Sequence, residues 1–285
     1  MVAKILSGTE FLELEKLRLQ ERISKLERAP GLGTILVGSD PNSQSYIRRK
    51  RQACQDVGIV SHHVELNDGA SQAEVLDAIN AMNADSNVDA FIVQLPLPSQ
   101  CDEQGALLAI NPTKDADGLH PVNLGKLVMG VNAPRPCTPL GIQALLQSNG
   151  IDLTGKHVVI VGRGLTIGRP LANLLTLKEA GANATVTVVH TGTPDIAQFT
   201  RDADIVIAAV GSPNTITPDM VKKDVVLVSA GMTFSEGRKL IPDISEDCEE
   251  KASWITPRIG GVGPTTIAML LRNTVTACEN NKISA

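Results

Sequence analysis

The sequence predicts two three-layer α/β domains, the second of the Rossmann type. Three observations support this fold class. The chain has 285 residues, of which 42% are hydrophobic, and this length exceeds what a single core usually covers. Short apolar runs rich in β-branched residues alternate with helical patterns in two separate series, as parallel sheets with helical crossovers require. A proline-rich stretch at residues 96–139 separates the two series.

The first series begins with an amphipathic helix at residues 8–28, in which apolar residues mostly recur at helical spacing. Beyond it, β-branched runs predict strands and periodic segments predict helices. In chain order these are a strand at 34–37, a helix at 43–57, a strand at 61–66, a helix at 72–82 and a strand at 90–95.

Prolines dominate the segment at residues 96–139, which interrupts this alternation. Because proline lacks a backbone N–H and fixes φ, closely spaced prolines among polar residues favour loops. We therefore expect a functional loop region in this segment, together with the crossing between the domains. The prolines are Pro96, Pro98, Pro112, Pro121, Pro134, Pro136 and Pro139.

The second series starts near Gly155 and has the pattern of a nucleotide-binding half-domain. A glycine-rich turn joins its first strand to its first helix. Further on, Pro264 stands where the first position of a helix tolerates proline, ahead of a helix at 265–278. The elements predicted before that helix are a strand at 157–161, a helix at 167–178 and strands at 184–190, 205–208 and 225–228.

Composition excludes several classes of protein. The net charge of −5 is spread along the chain, which argues against a nucleic-acid partner. No apolar run is long enough to span a bilayer and the first residues lack the core of a signal peptide, so we expect a cytoplasmic protein without a membrane partner. The five cysteines form no CxxC pair and the histidines lack ligand spacing, which favours reduced thiols and no metal site.

The glycine-rich turn is the strongest local motif. It lies between an apolar strand and a helix, where glycines let the backbone approach a pyrophosphate at the positive end of the helix. Its spacing is GxGxxxG, one residue longer than the common dinucleotide fingerprint, and an ordinary tight turn is the alternative interpretation. The residues that we assign to a dinucleotide are Gly162, Arg163, Gly164, Ile167 and Gly168.

The end of the next strand favours NADP over NAD. It carries His190 and Thr191 instead of the acidic residue that would bind a ribose 2′-hydroxyl. Arg163 and Thr191 together could hold a 2′-phosphate, because a guanidinium matches the geometry of a phosphate. We therefore add His190 and Thr191 to the predicted cofactor site, and the alternative for Arg163 is a solvated loop arginine.

Four residues of the first domain could carry chemistry. Tyr46 and Lys50 lie four apart on a predicted helix, which places an aromatic ring and a titratable amine on one face, although such pairs also occur as surface features. Gln94 ends a buried strand, where it could face a ligand crevice or cap backbone groups. Asp117 could bind an aminopyrimidine edge through paired N–H donors, or brace a turn. The residues alone leave these alternatives open.

Six segments, in their order along nearly the whole chain, resemble the bifunctional methylenetetrahydrofolate dehydrogenase/cyclohydrolase family. The resemblance implies a folate-binding catalytic domain at residues 1–139, a NADP-binding Rossmann domain at 140–264 and a catalytic cleft between them. It also implies a homodimer, and a C-terminal helix at 265–285 that packs back onto the first domain. The segments are residues 43–50, 93–98, 114–118, 136–139, 162–170 and 260–264.

The resemblance also assigns roles to single residues. Lys50 corresponds to the family's catalytic lysine, Gln94 to the side chain that tunes it, and Tyr46 to the aromatic residue that lines the folate site. We take these three as the catalytic group. Asp117 matches the pterin-binding carboxylate. The positions that match the family's loop beside the substrate and the nicotinamide are Gly261, Val262 and Pro264.

The implied activity is the NADP-dependent oxidation of 5,10-methylenetetrahydrofolate to 5,10-methenyltetrahydrofolate and its hydrolysis to 10-formyltetrahydrofolate, in one-carbon metabolism. The protein would mainly orient the hydride transfer, while Lys50, with its pKa lowered toward neutrality, would assist the proton transfers of hydrolysis. The alternatives are a monofunctional dehydrogenase, a non-catalytic NADP- or folate-binding regulator, and a different Rossmann dehydrogenase with an imidazole or carboxylate base.

The chain departs from the family pattern at three places. Gly164 and Thr191 stand where serine is usual, which leaves a hydroxyl at the second position and none at the first. These departures bear on the strength of the NADP preference. Residues Arg258 and Ile259 replace the Val-Pro pair common before the second glycine run, which bears on the conformation of that loop.

Overall fold

A computed structural model describes residues 2–39, 41–234 and 240–283. The chain divides into two compact units, and each contains two separate stretches of sequence. We call them the six-stranded unit (Met1–Leu12 and Thr138–Thr266) and the three-stranded unit (Glu13–Cys137 and Ile267–Ala285). Residues 284 and 285 of the predicted C-terminal segment lie outside the described residues.

Helices and strands alternate along most of the described chain. Short 3₁₀ helices at Pro112–Lys114, Pro218–Met220 and Glu246–Glu250 accompany them. In chain order, the helices and strands are β1 (Lys4–Ile5), α1 (Gly8–Ile23), β2 (Gly31–Val37), α2 (Pro41–Val57), β3 (Val60–Leu66), α3 (Gln72–Ala84), β4 (Ala90–Val93), α4 (Glu103–Ala109), α5 (Pro121–Val128), α6 (Cys137–Ser148), β5 (His157–Val161), α7 (Gly168–Leu175), β6 (Thr185–Val189), α8 (Ala197–Thr200), β7 (Ile205–Ala208), β8 (Val225–Ser229), β9 (Met232–Phe234), β10 (Leu240–Pro242), β11 (Ala252–Ile255) and α9 (Val262–Ile283).

The three-stranded unit is built on a parallel sheet of strand order β3-β2-β4. The central strand β2 is buried along its whole length, as a parallel strand covered on both faces should be. Ile35, Ile79 and Phe91 lie in one buried apolar cluster, so α3 packs on the sheet. The helix α3 begins at a capping box in which Ser71 and Glu74 satisfy each other's backbone N–H groups.

The segment at residues 96–139 contains helices, so the prediction of a loop region there is wrong. The helices α4 and α5 lie within it and α6 starts near its end. Pro121 occupies the first turn of α5 behind the N-cap His120, and Pro112 starts a 3₁₀ helix behind Asn111. The first position of a helix needs no N–H donor, so a proline there begins a helix instead of breaking one.

The six-stranded unit contains a parallel sheet of strand order β1-β11-β8-β7-β5-β6. The strands predicted for the second series are confirmed to within one or two residues at each end. Strand β5 lies between β6 and β7, and Val161 pairs with Val189 on one side and with Ala208 on the other. The turns that follow these three strands therefore leave the same edge of the sheet side by side.

The N-terminal strand and the C-terminal helix have distinct places in these units. Strand β1 pairs with β11, so the first residues, which the resemblance placed with the folate-binding domain, group with the six-stranded unit. The opening helix ends at Ile23 instead of residue 28. Helix α9 starts in the six-stranded unit and continues in the three-stranded unit, where Arg272 donates to Glu15 at 2.6 Å.

The fold class predicted from the sequence is confirmed, because both units are α/β domains built on parallel sheets. Strands β9 and β10 form a separate antiparallel pair in the six-stranded unit. Among the described residues, no helix has the length and apolar character needed to cross a bilayer.

Candidate active site

A buried lysine forms the centre of the candidate site in the three-stranded unit. Lys50 on α2 is 6% exposed, and its Nζ donates a hydrogen bond to Oε1 of Gln94 at 3.1 Å. Tyr46 lies one helical turn earlier, with its ring centroid 4.4 Å from the same Nζ. The structure therefore brings together the three residues that the sequence assigned to the catalytic group.

The orientation of Gln94 follows from its place directly after β4. Its Nε2 donates to the carbonyl oxygen of Leu95 at 2.8 Å, which turns the Oε1 atom of the same amide toward Lys50. The backbone N–H of Gln94 continues the pairing with β2 by donating to Ile35. The end of a sheet strand thus holds the acceptor for the lysine in a single orientation.

Burial controls the protonation of Lys50. Burial lowers the pKa of the amine from its ordinary value of 10.5, and the nearby carboxylate of Asp117 opposes this shift. Cys54, one turn further along α2, contributes no thiolate, because burial raises its pKa to about 12. The lysine is therefore easier to deprotonate than a surface lysine, which suits a group that accepts and returns protons.

The loop that carries Asp117 is braced from within. Asp115 is buried, and its carboxylate accepts hydrogen bonds from the backbone N–H groups of Gly118 and His120 and from Nδ2 of Asn123. Gly118 has a φ of +72°, and a side chain there would collide with the backbone of Arg135. The braced turn presents Asp117, which retains some accessible surface.

The carboxyl group of Asp117 lies close to two other polar groups of the site. Burial raises its pKa, while the positive charge of Lys50 and a hydrogen bond from the thiol of Cys137 act in the opposite direction. Cys137 itself is 1% exposed, and its pKa is raised well above 9.0, mainly by burial. The thiol is therefore a proton donor in this cluster and not a thiolate nucleophile.

Sequence reasoning did not assign a role to Cys137. Its only signal was its position in the segment at 136–139 that takes part in the family resemblance, since nothing in its spacing points to Asp117. Among the described residues, no group of three or more His, Cys, Asp and Glu side chains could hold a metal ion. Asp115 instead binds N–H donors, and the ring of His120 caps α5 by accepting from Val122.

The glycine turn of the six-stranded unit requires glycine at two positions. Gly162 has a φ of +123°, and a Cβ atom there would lie 2.3 Å from the carbonyl oxygen of Ala209. A Cβ atom on Gly168 would lie 2.2 Å from the carbonyl oxygen of Gly162. A Cβ atom on Gly164 would meet no described atom within 4 Å. The outer glycines make the tight turn possible, and the middle one leaves the backbone open to a ligand.

The start of α7 can receive an anion. Ile167 is its N-cap residue, and no side-chain hydrogen bond caps the helix within the part of the chain that the structure describes. The first N–H groups of a helix have no partner inside the helix, and the helix dipole favours negative charge there. Gly162 and Gly168 therefore shape a turn that fits the pyrophosphate of a dinucleotide.

The residues predicted to contact a 2′-phosphate lie after the neighbouring strands β5 and β6. Arg163 and Thr191 are exposed and each follows the paired residues Val161 and Val189 by two positions. His190 is half-buried, and its Nδ1 accepts from the backbone N–H of Gly192 at 3.0 Å. His190 thus braces the turn from which Thr191 projects.

A buried carboxylate that the sequence analysis did not single out holds the next turn of this sheet edge. Asp243 is 0% exposed and accepts hydrogen bonds from the N–H groups of Val210, Gly211 and Ser212 at 2.7, 3.1 and 2.9 Å. These residues follow Ala209, whose carbonyl oxygen limits the space at Gly162. Asp243 thereby fixes the backbone against which the glycine turn packs.

The second glycine run lies at the start of α9 and also belongs to the six-stranded unit. Gly261 and Val262 are buried and Pro264 is half-buried. The carbonyl oxygen of Gly261 lies where a side chain on Gly8 would project, so α1 approaches this loop closely. Just before it, Arg258 lies 3.7 Å from Glu246, and Ile259 is exposed.

Two family models match this chain. The catalytic domain of tetrahydrofolate dehydrogenase/cyclohydrolase matches residues 6–117. The NAD(P)-binding domain of tetrahydrofolate dehydrogenase/cyclohydrolase matches residues 136–282. Together the matches contain the lysine cluster (Tyr46, Lys50, Gln94 and Asp117), the glycine turn and the second glycine run.

Relatives of known sequence and structure agree with these models. The bifunctional protein FolD of Syntrophotalea carbinolica is 55% identical over 88% of this chain and 86% of its own length. The crystal structure of FolD from Campylobacter jejuni is similar to this chain, with 41% sequence identity and a TM-score of 0.94, over 98% of this chain and 99% of that one. The crystal structure of Trypanosoma brucei FolD complexed with NADP cofactor and inhibitor is similar too, with 36% identity and a TM-score of 0.93, over 99% of both chains. This chain belongs to the tetrahydrofolate dehydrogenase/cyclohydrolase family.

Proposed function

We propose that this chain oxidises 5,10-methylenetetrahydrofolate with NADP and hydrolyses the methenyl product to 10-formyltetrahydrofolate, with Lys50, Gln94 and Tyr46 as its catalytic group. The observation that carries the proposal is the buried amine of Lys50, which is hydrogen-bonded to Gln94 and stacked on Tyr46. A buried amine with a lowered pKa is costly to maintain, and such groups concentrate at functional sites.

We assign the binding of the dinucleotide to the glycine turn and the ends of the neighbouring strands. The open backbone at Gly164 and the uncapped start of α7 suit its pyrophosphate, and Arg163 and Thr191 suit the 2′-phosphate. Bound NADP supplies an acceptor for the hydride that leaves the methylene carbon of the substrate. The residues that we assign to this site are Gly162, Arg163, Gly164, Ile167, Gly168, His190 and Thr191.

We assign the binding of the folate to the lysine cluster. Asp117 accepts N–H donors from the pterin edge, and Tyr46 offers its ring to the flat parts of the substrate. From the family resemblance alone, we also assign substrate binding to the second glycine run, with Gly261, Val262 and Pro264. A carboxylate is the natural acceptor for the paired N–H groups of an aminopyrimidine, which favours a binding role for Asp117 over the bracing of a turn.

Hydrolysis uses the amine of Lys50. A water molecule adds to the methenyl carbon as the neutral amine takes one proton from that water. The remaining hydroxyl proton of the adduct is then transferred to N5 as the bond between this carbon and N5 breaks, and the carbon keeps its oxygen as the formyl group on N10. The Oε1 atom of Gln94 holds the amine in place through each protonation state. The net proton released by the reaction passes from Lys50 to solvent.

Turnover of 5,10-methylenetetrahydrofolate tests the proposed function. The absorbance of NADPH follows oxidation with NADP, that of NADH follows oxidation with NAD, and the fall of the methenyl absorbance at neutral pH follows hydrolysis to the formyl product. We expect NADP-dependent oxidation and formyl product above the uncatalysed hydrolysis control. Oxidation without enzyme-dependent hydrolysis would indicate a monofunctional dehydrogenase, and no oxidation with either cofactor would refute the proposal.

The rate of the hydrolysis step should depend on the protonation of Lys50. Because burial lowers the pKa of the amine below 10.5, its neutral form is present at lower pH than for a surface lysine. We expect enzyme-dependent hydrolysis of the methenyl substrate to rise with pH until the amine is deprotonated. Lys50→Arg, whose guanidinium stays charged, is expected to lose this rise, and an unchanged profile in that variant would contradict the assignment.

Restoring a hydroxyl in the glycine turn should strengthen the NADP preference. A Cβ atom on Gly164 would meet no described atom within 4 Å, and its φ is not positive, so Gly164→Ser fits the fold. A hydrogen bond to the charged 2′-phosphate is expected to lower the KM for NADP roughly 10-fold without changing the KM for NAD. Thr191→Val removes a hydroxyl, so it should raise the KM for NADP. An equal change for both cofactors would show that only the geometry of the turn had changed.

We also propose a cytoplasmic homodimer. The family resemblance supports the dimer. The spread of charge along the chain and the lack of a membrane-spanning pattern in the sequence support the location. Neither statement enters the mechanism above, which uses the residues of a single chain.

A further inference from the structure

A carboxylate outside the lysine cluster holds the loop that follows Gln94. Glu103 lies in the first turn of α4, and its Oε1 atom accepts the backbone N–H of Leu97 at 2.8 Å. Leu97 is 8% exposed and belongs to the apolar cluster that also contains Phe91 and Leu107. The hydrogen bond therefore ties the loop to α4 at a residue that is largely shielded from water.

The other end of this loop orients Gln94. The Nε2 atom of Gln94 donates to the carbonyl oxygen of Leu95 at 2.8 Å, and its Oε1 atom accepts from Nζ of Lys50 at 3.1 Å. Because one planar amide carries both atoms, a shift of the Leu95 carbonyl group moves the acceptor of the lysine. Only Pro96 separates this carbonyl group from the N–H of Leu97, and its ring fixes one of the two backbone torsions between them.

The start of α4 is itself anchored. The Oε1 atom of Gln72, at the start of α3, accepts the backbone N–H of Asp102 at 2.8 Å. Asp102 caps α4 by accepting the N–H of Gln104 at 3.0 Å. Just before it, the Nε2 atom of Gln100 donates to the carbonyl oxygen of Asp68 at 2.7 Å. Glu103 therefore extends from a fixed support.

We propose that Glu103 is a positioning residue of the candidate active site, which holds the loop so that Gln94 points its acceptor at Lys50. The hydrogen bond to Leu97 fixes the carbonyl group of Leu95, and that carbonyl group fixes the amide of Gln94. The inference rests on the proposed function, in which Lys50 moves the protons of hydrolysis. Glu103 acts through the loop, so it is not a catalytic residue.

Two substitutions separate the reach of Glu103 from its charge. Glu103→Asp keeps a negative charge in the first turn of α4 but withdraws the acceptor by one methylene group, whereas Glu103→Gln keeps an acceptor at full length without the charge. We expect Glu103→Asp to lower the kcat of methenyl hydrolysis roughly 10-fold with little change in KM, because an orienting hydrogen bond is lost. Glu103→Gln should stay within about three-fold of the wild type.

A double-mutant cycle tests the route through Gln94. Gln94→Ala removes the acceptor altogether, so adding Glu103→Asp should lower kcat little further, whereas independent effects would multiply. Asp102→Ala is the matched control, because it removes the cap of the same helix and leaves the bond from Leu97 to Glu103 in place. It should lower the thermal midpoint of unfolding without changing the rate of hydrolysis.

The ionisation of Lys50 gives a readout that needs no turnover. An acceptor favours the charged form of the amine, so the pKa of Lys50 should fall further in Glu103→Asp and in Gln94→Ala, and match the wild type in Glu103→Gln. The chemical shift of the ε carbon of Lys50 measures this pKa by NMR. None of the substitutions removes a charged or titratable group near the amine. Those groups are Tyr46, Cys54, Asp117 and Cys137.

Three results would overturn the proposal. A normal kcat and a normal pKa of Lys50 in Glu103→Asp would mean that Glu103 serves only the fold. Effects that multiply in the double variant would mean that it does not act through Gln94. A loss in Glu103→Gln as large as that in Glu103→Asp would assign the effect to charge. An inactive wild type would instead refute the proposed function, while the pKa of Lys50 in the variants would still decide this inference.

Discussion

Replacing Lys50 by methionine is expected to abolish the enzyme-dependent hydrolysis of the methenyl substrate. Loss of a positioned acid or base lowers the rate roughly 100- to 10,000-fold, which would leave little above the uncatalysed reaction. The oxidation step needs orientation more than proton transfer, so part of it should remain. The measurement is the rate at which the methenyl absorbance falls at neutral pH relative to the rate of NADPH formation, a ratio that should fall sharply in the variant.

Although Lys50→Met should abolish hydrolysis, we expect it to preserve or raise the stability of the fold. Lys50 is 6% exposed, and methionine of similar length removes the cost of burying an amine beside Gln94 and Tyr46. The thermal midpoint should therefore be equal to that of the wild type or higher. Lys16→Met, which removes a lysine paired with Glu13 and Asp56, is the control and should retain both activities. Normal hydrolysis in Lys50→Met would show that another group moves the protons.

Gly162→Ala is expected to damage both the stability of the six-stranded unit and the binding of NADP. The new Cβ atom would lie 2.3 Å from the carbonyl oxygen of Ala209 in a backbone of positive φ. Asp243 holds the adjoining residues, so that backbone has little room to retreat. The free energy of unfolding should fall by on the order of 3 kcal/mol. Urea unfolding and calorimetric titration with NADP measure the two effects.

Gly164→Ala provides the comparison, since it makes the same chemical change two residues away. The new Cβ atom would meet no described atom within 4 Å, and the φ of Gly164 is not positive. The free energy of unfolding should therefore change by less than about 0.5 kcal/mol. Equal losses in the two variants would mean that the turn responds to any side chain, and that the contact with Ala209 does not explain the requirement for glycine.

Except for β1 and β11, the strands of the two sheets could be predicted, because the buried parallel strands appear as short runs of β-branched residues. Strand β7, for example, has the predicted bounds 205–208. Strand β1 has two residues and exists only through its pairing with β11, so no local pattern indicates it. The helices α4 and α5 were missed because the prolines spread through residues 96–139 were interpreted as signs of a loop, although Pro121 occupies a helix start.

The residues of the candidate site likewise include some that the sequence could predict and some that it could not. Tyr46 and Lys50 could be paired from their helical spacing, and Gln94 from its place at the end of a strand. Cys137 and Asn273 lie far from these residues in sequence, and their hydrogen bonds to the carbonyl oxygen of Ala116, next to Asp117, exist only because of the fold. Sequence patterns report which face a residue occupies, and they do not report which distant backbone carbonyl it will meet.

The pairing of β1 with β11 has a consequence for the order of events during synthesis. Lys4 leaves the ribosome long before its partner Trp254. The three-stranded sheet, whose last strand ends at Val93, has all its strands well before that pairing is possible. Every nascent chain must therefore keep β1 without its native partner while the residues between the two strands are made, and this edge of the six-stranded sheet closes only after β11 has emerged.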